Sequence, residues 1–468
     1  MRELWPRLGM KRVLVANRGE IAVRIIRAAH DLGLEAVAVH STADAGALHV
    51  RMADAAIEIG PPPAAHSYLD VARILAAARA TAAEAVHPGY GFLAERSDFA
   101  RACEDAGLRF VGPRSEHIAL MGDKARAREV ARAAGVPTIP GSPGALDDVD
   151  AAAACATEIG YPVALKAAGG GGGRGIRIAE HEIDVRSVFA QASREASAAF
   201  DDPRIYVERF ISPARHVEVQ VLGDGDRCLH LYERECSLQR RRQKICEETP
   251  APRLAPGTRM GLFEAAIALC EAIGYRSAGT VEFLVDEETG EFFFIEMNTR
   301  IQVEHPVTEL LTGVDLVAEQ LRIAAGEPLR LTQTDVTPRG CALELRINAE
   351  DPANRFQPSP GTVAELSLPS GPWVRVDSWM ERGAVVTPFY DSLIAKVIVW
   401  ADDRETAIER ARRGLDEVVI EGISTTTPLL QALLREPWFA AADFHTATLE
   451  AWLERQEELG PIGERRRM

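Results

Sequence analysis

Five polar residues occupy every second position in one segment of the sequence: Glu296, Asn298, Arg300, Gln302 and Glu304. If this segment is extended, all five side chains project from one face, because successive side chains of a strand point to opposite sides. Such alternation is also typical of a solvated strand face. However, this segment follows a very apolar run and combines carboxylates, an amide and a guanidinium. The combination favours a site for a metal and an anion.

Another carboxylate lies upstream in an apolar strand pattern. Glu282 is flanked by Val281 and Phe283, and a carboxylate buried in such a strand costs free energy unless it is paired or binds a metal. Together with Glu296 and Asn298 it would supply oxygen ligands of the kind that Mg2+ takes beside nucleotide phosphates. These three residues are therefore predicted metal ligands.

Glycine dominates a third segment, residues 169–175, which Arg174 interrupts. Glycine-rich segments are commonly flexible linkers, but this one is flanked by two strand patterns and is predicted to be a hairpin tip. Backbone N–H groups without Cβ atoms can close over a polyphosphate, and the preceding Lys166 adds a cation. The Gly-Lys-Ser/Thr of a P-loop is missing. The segment is therefore predicted to be a phosphate-covering lid of another kind.

Two further segments carry weaker signals. Residues 240–244 read Arg-Arg-Arg-Gln-Lys, a pattern usually found on a solvated surface or a nucleic-acid patch. The net charge of −16 disfavours nucleic acid, so we expect this basic cluster near phosphates and a second anion. Residues 87–93 follow a short strand pattern, and form either a ligand loop at the edge of a sheet or a structural turn.

The elements that must position these residues follow from apolar periodicity. Residues 11–40 alternate strand, helix and strand, which predicts a βαβ unit and a parallel sheet. The first turn lacks Gly-x-Gly-x-x-Gly, so NAD is not expected there. From about residue 208 the pattern becomes that of antiparallel strands, and a last α+β segment begins near residue 340.

Length and composition limit the class of protein. A chain of 468 residues suggests about three domains. The sequence contains no apolar stretch long enough for a membrane helix and no secretion signal at its start. Its seven cysteines form no Cys-x-x-Cys pair, which argues against a structural zinc site or a disulfide framework. We therefore expect a cytoplasmic protein that binds neither membranes nor nucleic acid and acts on small molecules.

Taken together, the motifs resemble those of the biotin carboxylase family, within the ATP-grasp superfamily. The matching segments run in the family's order through residues 16–22, 87–93, 120–124, 166–175, 215–218, 295–309 and 346–351. The string from Ile295 to Glu309 is the most specific of them. The resemblance implies that bicarbonate attacks the γ-phosphate of ATP, bound with Mg2+ or Mn2+, to give carboxyphosphate. The carbon dioxide unit is then placed on a ureido nitrogen of biotin.

The resemblance also implies roles for single residues. ATP would contact Lys124, Lys166, Gly172, Gly173, Glu208, Arg209, Phe210, Ile211, His216, Gln239, Glu282 and Glu296. The metal ligands would be Glu282, Glu296 and Asn298, the same three residues that the strand patterns predict. Bicarbonate and biotin would contact Lys244, Arg300, Gln302, Val303 and Arg346. Of the catalytic residues Lys244, Arg300, Glu304 and Arg346, Glu304 would be the base on bicarbonate and Arg346 would stabilise the biotin enolate.

The implied fold is α/β and α+β, an ATP-grasp fold between a Rossmann-like N-terminal domain and a C-terminal biotin carboxylase domain. We expect domains at residues 11–125, 126–330 and 340–450, with the glycine-loop lid at about 138–210. The implied partners are a biotin carboxyl carrier protein, carboxyltransferase subunits and a second copy of the chain in a homodimer. No Met-Lys-Met carrier signature occurs in the sequence, so biotin is expected on a separate protein. Its carboxylation would be the first half-reaction of an acetyl-CoA or related acyl-CoA carboxylase.

Two departures from the family pattern stand out. Arg242 occupies a position where the family often has a histidine that touches ATP, and residues 422–428 lack the usual Thr-Asn near the C-terminus. Two other functions stay open. One is an ATP-grasp carboxylate–amine ligase with another acceptor. The other is a non-catalytic nucleotide-binding subunit, which the intact segment 296–304 disfavours.

Overall fold

The computed structural model describes residues 8–167, 176–200 and 203–459. Its N-terminal part is a five-stranded parallel sheet of order β3-β2-β1-β4-β5. The strands are β1 Arg12–Val15, β2 Glu35–Ser41, β3 Ala55–Gly60, β4 Ala85–His87 and β5 Arg109–Phe110. The helices are α1 Gly19–Asp31, α2 Leu48–Met52, α3 Val71–Ala80, α4 Ser97–Asp105, α5 Ser115–Gly122 and α6 Lys124–Ala133. The predicted βαβ unit and parallel sheet are confirmed.

A smaller antiparallel sheet of order β7-β6-β8 follows. Its elements are α7 Val149–Ile159, β6 Val163–Ala167, β7 Ile176–Ala179, α8 Glu182–Phe200 and β8 Ile205–Arg209. Strands β6 and β7 pair in antiparallel fashion, with Lys166 opposite Ile176. The two strands that flank the glycine-rich segment are thus hydrogen-bonded to each other, as predicted for a hairpin. Gly172 and Gly173, predicted to hold phosphates, lie outside the described residues.

The largest sheet has eight strands in the order β13-β12-β9-β10-β11-β14-β21-β19. Six of them are β9 Ala214–Asp224, β10 Cys228–Arg240, β11 Gln243–Thr249, β12 Arg276–Asp286, β13 Phe292–Asn298 and β14 Cys341–Asn348. The other two are β19 Val374–Ser378 and β21 Leu393–Ala401. All its neighbouring strands are antiparallel. The pairing of β11 with β14 joins the last α+β segment to the preceding strands in a single sheet.

Short strands and seven helices complete the described chain. The short strands are β15 Glu350–Asp351, β16 Gln357–Pro358, β17 Gly361–Thr362, β18 Glu365–Ser367, β20 Val385–Val386 and β22 Val419–Glu421. The helices are α9 Pro256–Ile273, α10 His305–Thr312, α11 Leu316–Ala325, α12 Arg404–Glu417, α13 Thr427–Leu433, α14 Pro437–Ala440 and α15 Thr448–Leu459. Throughout the described ranges, no helix combines the length and apolar character needed to cross a membrane.

The alternating polar segment is extended over only part of its length. Strand β13 ends at Asn298, residues 299–304 form a loop, and helix α10 begins at His305. Pro306 at the start of α10 favours the helix there, because its fixed φ suits the first turn and its missing N–H would have no helical partner. The prediction that Arg300, Gln302 and Glu304 project from one strand is therefore wrong, although their side chains still meet in one cavity.

Candidate active site

A cavity of about 2090 Å3 lies where the parallel sheet, the small sheet and the eight-stranded sheet meet. Every predicted site residue that the structure describes lines it: Lys124, Lys166, Glu208, Arg209, Phe210, Ile211, His216, Gln239, Lys244, Glu282, Glu296, Asn298, Arg300, Gln302, Val303, Glu304 and Arg346. Residues from the first 130 positions and the last 130 thus face the same space. The fold brings together all of this set.

Lys244 is the centre of the charged part of the cavity. From strand β11 its Nζ donates to Glu218 at 2.6 Å, to Glu282 at 3.2 Å and to Glu304 at 2.6 Å. Burial alone would lower the pKa of Lys244, but the Cys236 thiol and these carboxylates raise it well above the usual value. The ammonium therefore keeps its charge while all three of its donors are used.

Glu304 is held between two cations. Its second carboxylate oxygen accepts from Nη2 of Arg346 at 2.8 Å, opposite the contact with Lys244. Burial would raise the pKa of this carboxyl, but Lys244, Arg346 and the nearby Arg234 outweigh it and hold the pKa well below the usual range. Glu304 is thus an ionised, fully enclosed carboxylate, able to accept a proton from a bound ligand.

Arg346 is in turn shared between two carboxylates. Besides Glu304, its Nη2 contacts Glu247 on the neighbouring strand β11. Burial, only partly offset by Arg346, raises the pKa of Glu247 to about 7. An arginine that faces a cavity with its charge shared in this way can stabilise a new negative charge when a ligand arrives.

The predicted metal ligands share one side of the β12–β13 hairpin. Glu282 pairs directly with Glu296, and Asn298 pairs with Thr280, so Glu282, Glu296 and Asn298 project from the same face. Glu282 accepts from Nδ2 of Asn298 at 2.8 Å, and Glu296 lies 3.5 Å from the ammonium of Lys124. Two carboxylates and an amide oxygen fit a hard cation such as Mg2+.

Two other groups of potential ligand atoms lie close together, but neither suits a metal. Within the described ranges these groups are His216, Glu218 and Glu282, and Glu218, Cys236 and Glu304. The ammonium of Lys244 already contacts a carboxylate oxygen in both. A second cation there would meet direct repulsion from Lys244. Lys244 contacts two carboxylates in each of these groups, but only one, Glu282, among the three hairpin residues, so the hairpin remains the better metal site.

The nucleotide side of the cavity is organised by a buried carboxylate. Glu208, at the end of strand β8, contacts Lys166 from β6 and Arg128 from α6. Burial would raise the pKa of Glu208, but these two cations lower it. Nearby, Nδ1 of His216 lies 2.6 Å from Nε2 of Gln239. Lys166, on the strand that precedes the glycine-rich segment, thus lies with Arg128 in the cavity lining.

Arg300 and Arg242 also line the cavity. Arg300 donates through Nε to Glu95 at 2.9 Å and through Nη2 to the Asn298 side chain at 3.0 Å. Arg242 lies with Arg241 in the turn between β10 and β11, and both have positive φ values of 66° and 47°. Left-handed backbone is unfavourable for arginine. This turn places Arg242 in the cavity lining, at the position where the family often has histidine.

Arg234 is a site residue that sequence reasoning missed. It is fully buried in strand β10, and all five of its N–H groups donate. The acceptors are Glu218 at 2.6 Å, Gln220 at 2.6 Å, Thr308 at 2.9 Å, Thr280 at 3.1 Å and Gln302 at 2.7 Å. Arg234 thereby orients the Gln302 amide, whose Nε2 donates to Glu282 at 2.9 Å. In the sequence Arg234 stands between Glu233 and Glu235, a charged run that is equally typical of a solvated strand face.

Comparison with known proteins agrees with this arrangement. The family model for the biotin carboxylase N-terminal domain matches residues 9–118, and that for its C-terminal domain matches residues 344–451. Between them, the model for the carbamoyl-phosphate synthase L chain ATP-binding domain matches residues 123–332. The three models together span almost the whole described chain.

Full-length relatives are similar over nearly their entire length. The biotin carboxylase of Pseudomonas aeruginosa is 52% identical over 443 residues, which cover 94% of this chain and 98% of that protein. Biotin carboxylase 1 of Bacillus subtilis is 50% identical over 444 residues, 95% of this chain and 99% of that protein. The likeness therefore extends through all three segments that the family models match.

Solved structures show the same fold. One is the biotin carboxylase domain dimer of Hydrogenobacter thermophilus 2-oxoglutarate carboxylase in complex with MgADP, ADP and bicarbonate. Its TM-score is 0.88 at 49% identity, and the match covers 94% of this chain and 97% of that one. Another is the Campylobacter jejuni biotin carboxylase in complex with β-γ-ATP, with a TM-score of 0.89, 45% identity and coverage of 94% and 99%.

Proposed function

The chain belongs to the biotin carboxylase family, and from this premise we propose how its residues carry out the reaction. It is an ATP-dependent ligase that uses bicarbonate to carboxylate biotin. The observation that carries the proposal is the position of Glu304, an ionised carboxylate between Lys244 and Arg346. It lies in the same cavity as the residues predicted to contact ATP. A base, an anion site and a phosphate site in one enclosure suit phosphoryl transfer to bicarbonate.

Activation of bicarbonate is the first role that we assign. Bicarbonate is a weak nucleophile, and removal of its proton by Glu304 makes attack on the γ-phosphorus feasible. The attacking oxygen forms the new P–O bond while the bond to ADP breaks, which gives carboxyphosphate and leaves the proton on Glu304. Arg300, Gln302 and Val303 would hold the anion beside this base, with the guanidinium suited to bidentate contact.

The low pKa of Glu304, which Lys244, Arg346 and Arg234 hold below its usual range, affects this step. A base whose pKa is far below the working pH accepts a proton poorly. When anions enter, Lys244 and Arg346 also interact with them, so the positive potential on Glu304 falls and its pKa rises. Substrate binding thus makes Glu304 a stronger base at the moment when a proton must be accepted.

Charge neutralisation is the main requirement of the phosphoryl transfer itself. Lys124 and Lys166 would contact the phosphates, residues 208–211 the adenine, and His216 with Gln239 the ribose. Glu282, Glu296 and Asn298 would hold Mg2+, which would offset the negative charge of the phosphates. Both lysines already line the cavity that would receive the nucleotide.

The second half-reaction places the carbon dioxide unit on biotin. A ureido nitrogen must lose its proton before it attacks, and the negative charge that develops on the ureido oxygen needs a nearby cation. Arg346 lines the cavity beside Glu304 and would supply that cation.

Partners and domains complete the proposal. Proteins of this family act with a biotin carboxyl carrier protein. We propose carboxyltransferase subunits as further partners and a homodimer like the dimer of the Hydrogenobacter thermophilus domain. We also propose domains at residues 11–125, 126–330 and 340–450 with the lid at about 138–210, which the spans of the family models support.

Steady-state ATP cleavage tests the proposed function. The purified chain with Mg2+ should form ADP only when bicarbonate is present, and free biotin should increase the rate. Equal turnover in carbon-dioxide-free buffer would contradict the function. Turnover that requires a carboxylic acid and an amine instead would identify a carboxylate–amine ligase, and tight nucleotide binding without turnover would identify a non-catalytic subunit.

A further inference from the structure

The loop that carries Glu304 is not held by the hydrogen bonds of a strand or a helix. Residues 299–304 lie between the end of strand β13 and the start of helix α10, outside both elements. Fixing such backbone costs conformational entropy, and a displacement of about 1 Å in a catalytic group can cost about 10²-fold in rate. Contacts from other elements must therefore keep Glu304 in place.

Lys396 makes one of these contacts from strand β21. Its Nζ donates to the carbonyl oxygen of Val303 at 2.8 Å. That carbonyl belongs to the peptide group joining Val303 to Glu304, so the bond fixes the peptide plane from which the Glu304 side chain departs. Lys396 is 0% exposed, which means that water cannot replace it as a donor.

The neighbours of Lys396 in the sheet explain its position. Lys396 pairs directly with Arg346 on strand β14 and with Asp377 on strand β19. Directly paired residues of antiparallel strands project from the same face, so Lys396 and Arg346 are adjacent on one side of the sheet. Two cations of neighbouring strands thus contact two consecutive loop residues, Val303 through its carbonyl and Glu304 through its carboxylate.

The ammonium of Lys396 is held from the N-terminal part of the chain. It lies 3.1 Å from the carboxylate of Glu20 in helix α1 and 4.0 Å from that of Asp377. Glu20 also accepts a hydrogen bond from the hydroxyl of Tyr90, which lines the cavity. A chain of contacts therefore runs from the cavity wall through Glu20 and Lys396 to the loop.

Stability alone is a poor explanation for this arrangement. Burying two charges costs solvation free energy, and an apolar pair of similar volume is often as stable as a buried ion pair or more stable. Lys396 also contacts the residue next to the N-terminal end of α10, where the helix dipole disfavours a cation. The contact with the catalytic loop accounts for a lysine at this position.

We propose that Lys396 is a positioning residue, which fixes the Val303–Glu304 peptide and so holds Glu304 in its working geometry. Lys396 does not line the cavity, so it acts through Glu304. This inference rests on the proposed function, in which Glu304 is the base.

The test compares Lys396→Met with the wild-type chain in bicarbonate-dependent ATP cleavage. Because the nucleotide contacts are intact, we expect kcat to fall about 10²-fold while the KM for ATP stays within about twofold. Arg404→Met is the matched control, since Arg404 also pairs with a buried carboxylate, Glu248, outside the cavity. It should lower the melting temperature and leave kcat unchanged.

A double variant separates positioning from stability. Lys396→Met leaves Glu20 without its cation, which destabilises the fold, whereas Glu20→Gln with Lys396→Met removes both charges. We expect the double variant to recover most of the melting temperature but not kcat. Recovery of kcat together with stability would overturn the proposal, and so would Lys396→Met with a wild-type kcat. A wild-type chain without bicarbonate-dependent turnover would instead contradict the proposed function.

Discussion

At the scale of single residues, charge sharing determines what the site can do. Glu304, Lys244 and Arg346 form a row in which each charged group contacts at least two of opposite sign. Each charge is therefore stabilised by more than one partner. An incoming anion can therefore take part of the interaction from each cation without leaving a buried carboxylate unpaired.

Glu304→Gln tests the base directly. The amide has nearly the same shape but accepts no proton, so we expect nucleotide binding to be retained and bicarbonate-dependent kcat to fall about 10²- to 10⁴-fold. Glu319→Gln is the control, because Glu319 is also buried and paired, with Arg322 and Arg330 at 2.8 Å each, but lies outside the cavity. Normal biotin carboxylation by Glu304→Gln would show that another group is the base.

Arg242→His tests the departure from the family pattern. Arginine keeps its charge at all working pH values, whereas histidine is mostly neutral above about pH 6.5. We expect the variant to bind ATP about fivefold more weakly at pH 8, as for the loss of about 1 kcal/mol from an exposed charge pair. The difference should shrink at pH 6. ATP affinity that is the same for both chains at pH 8 would show that Arg242 does not reach the nucleotide.

At the scale of elements, the loop 299–304 and the strands around it form the working unit. Arg234 of strand β10 donates to the side chain of Gln302, and Lys396 of strand β21 donates to the carbonyl of Val303. The alternation of polar residues made this segment recognisable from sequence, but the alternation suggested a strand. The chain instead turns after Asn298, because the proline of α10 and the buried cations stabilise the loop and the helix that follows it.

Arg234→Lys tests the support of this loop. Lysine has three N–H donors where arginine has five, so at least two buried acceptors lose their partner at a cost of about 1 to 3 kcal/mol each. We expect a lower free energy of unfolding in denaturant and a raised KM for bicarbonate, because Gln302 is no longer oriented. Thr308→Val removes only one acceptor and should affect stability alone. An unchanged KM in Arg234→Lys would contradict the orienting role.

At the scale of the whole molecule, sequence patterns predicted the individual strands and helices but not how strands far apart in the chain pair. The parallel N-terminal sheet and the hairpin strands that carry Glu282 and Glu296 followed from local periodicity. The pairing of β11 with β14 joins residues about 100 positions apart, and no local pattern encodes it. The contacts of Arg234 and Lys396 depend on this assembly, which is why sequence alone did not reveal their roles.

The buried carboxyls should make stability depend on pH. Glu247 has a pKa raised to about 7, mainly by burial, against 4.5 when unfolded. Between these values Glu247 binds more protons in the folded state than in the unfolded state. Its contribution to stability therefore falls as pH rises from about 4.5 to about 7 and is level above. Glu247→Gln should remove this loss. Melting temperatures of both chains from pH 5 to 8 would check it, and parallel curves would contradict the raised pKa.

Oxygen labelling shows whether a bicarbonate oxygen attacks the γ-phosphate of ATP. The chain is given ATP and bicarbonate labelled with 18O at all three oxygens, and the released phosphate is measured by mass spectrometry. Because the attacking oxygen stays on phosphorus when carboxyphosphate breaks down, we expect one 18O atom in each phosphate. Unlabelled phosphate formed at a bicarbonate-dependent rate would contradict it.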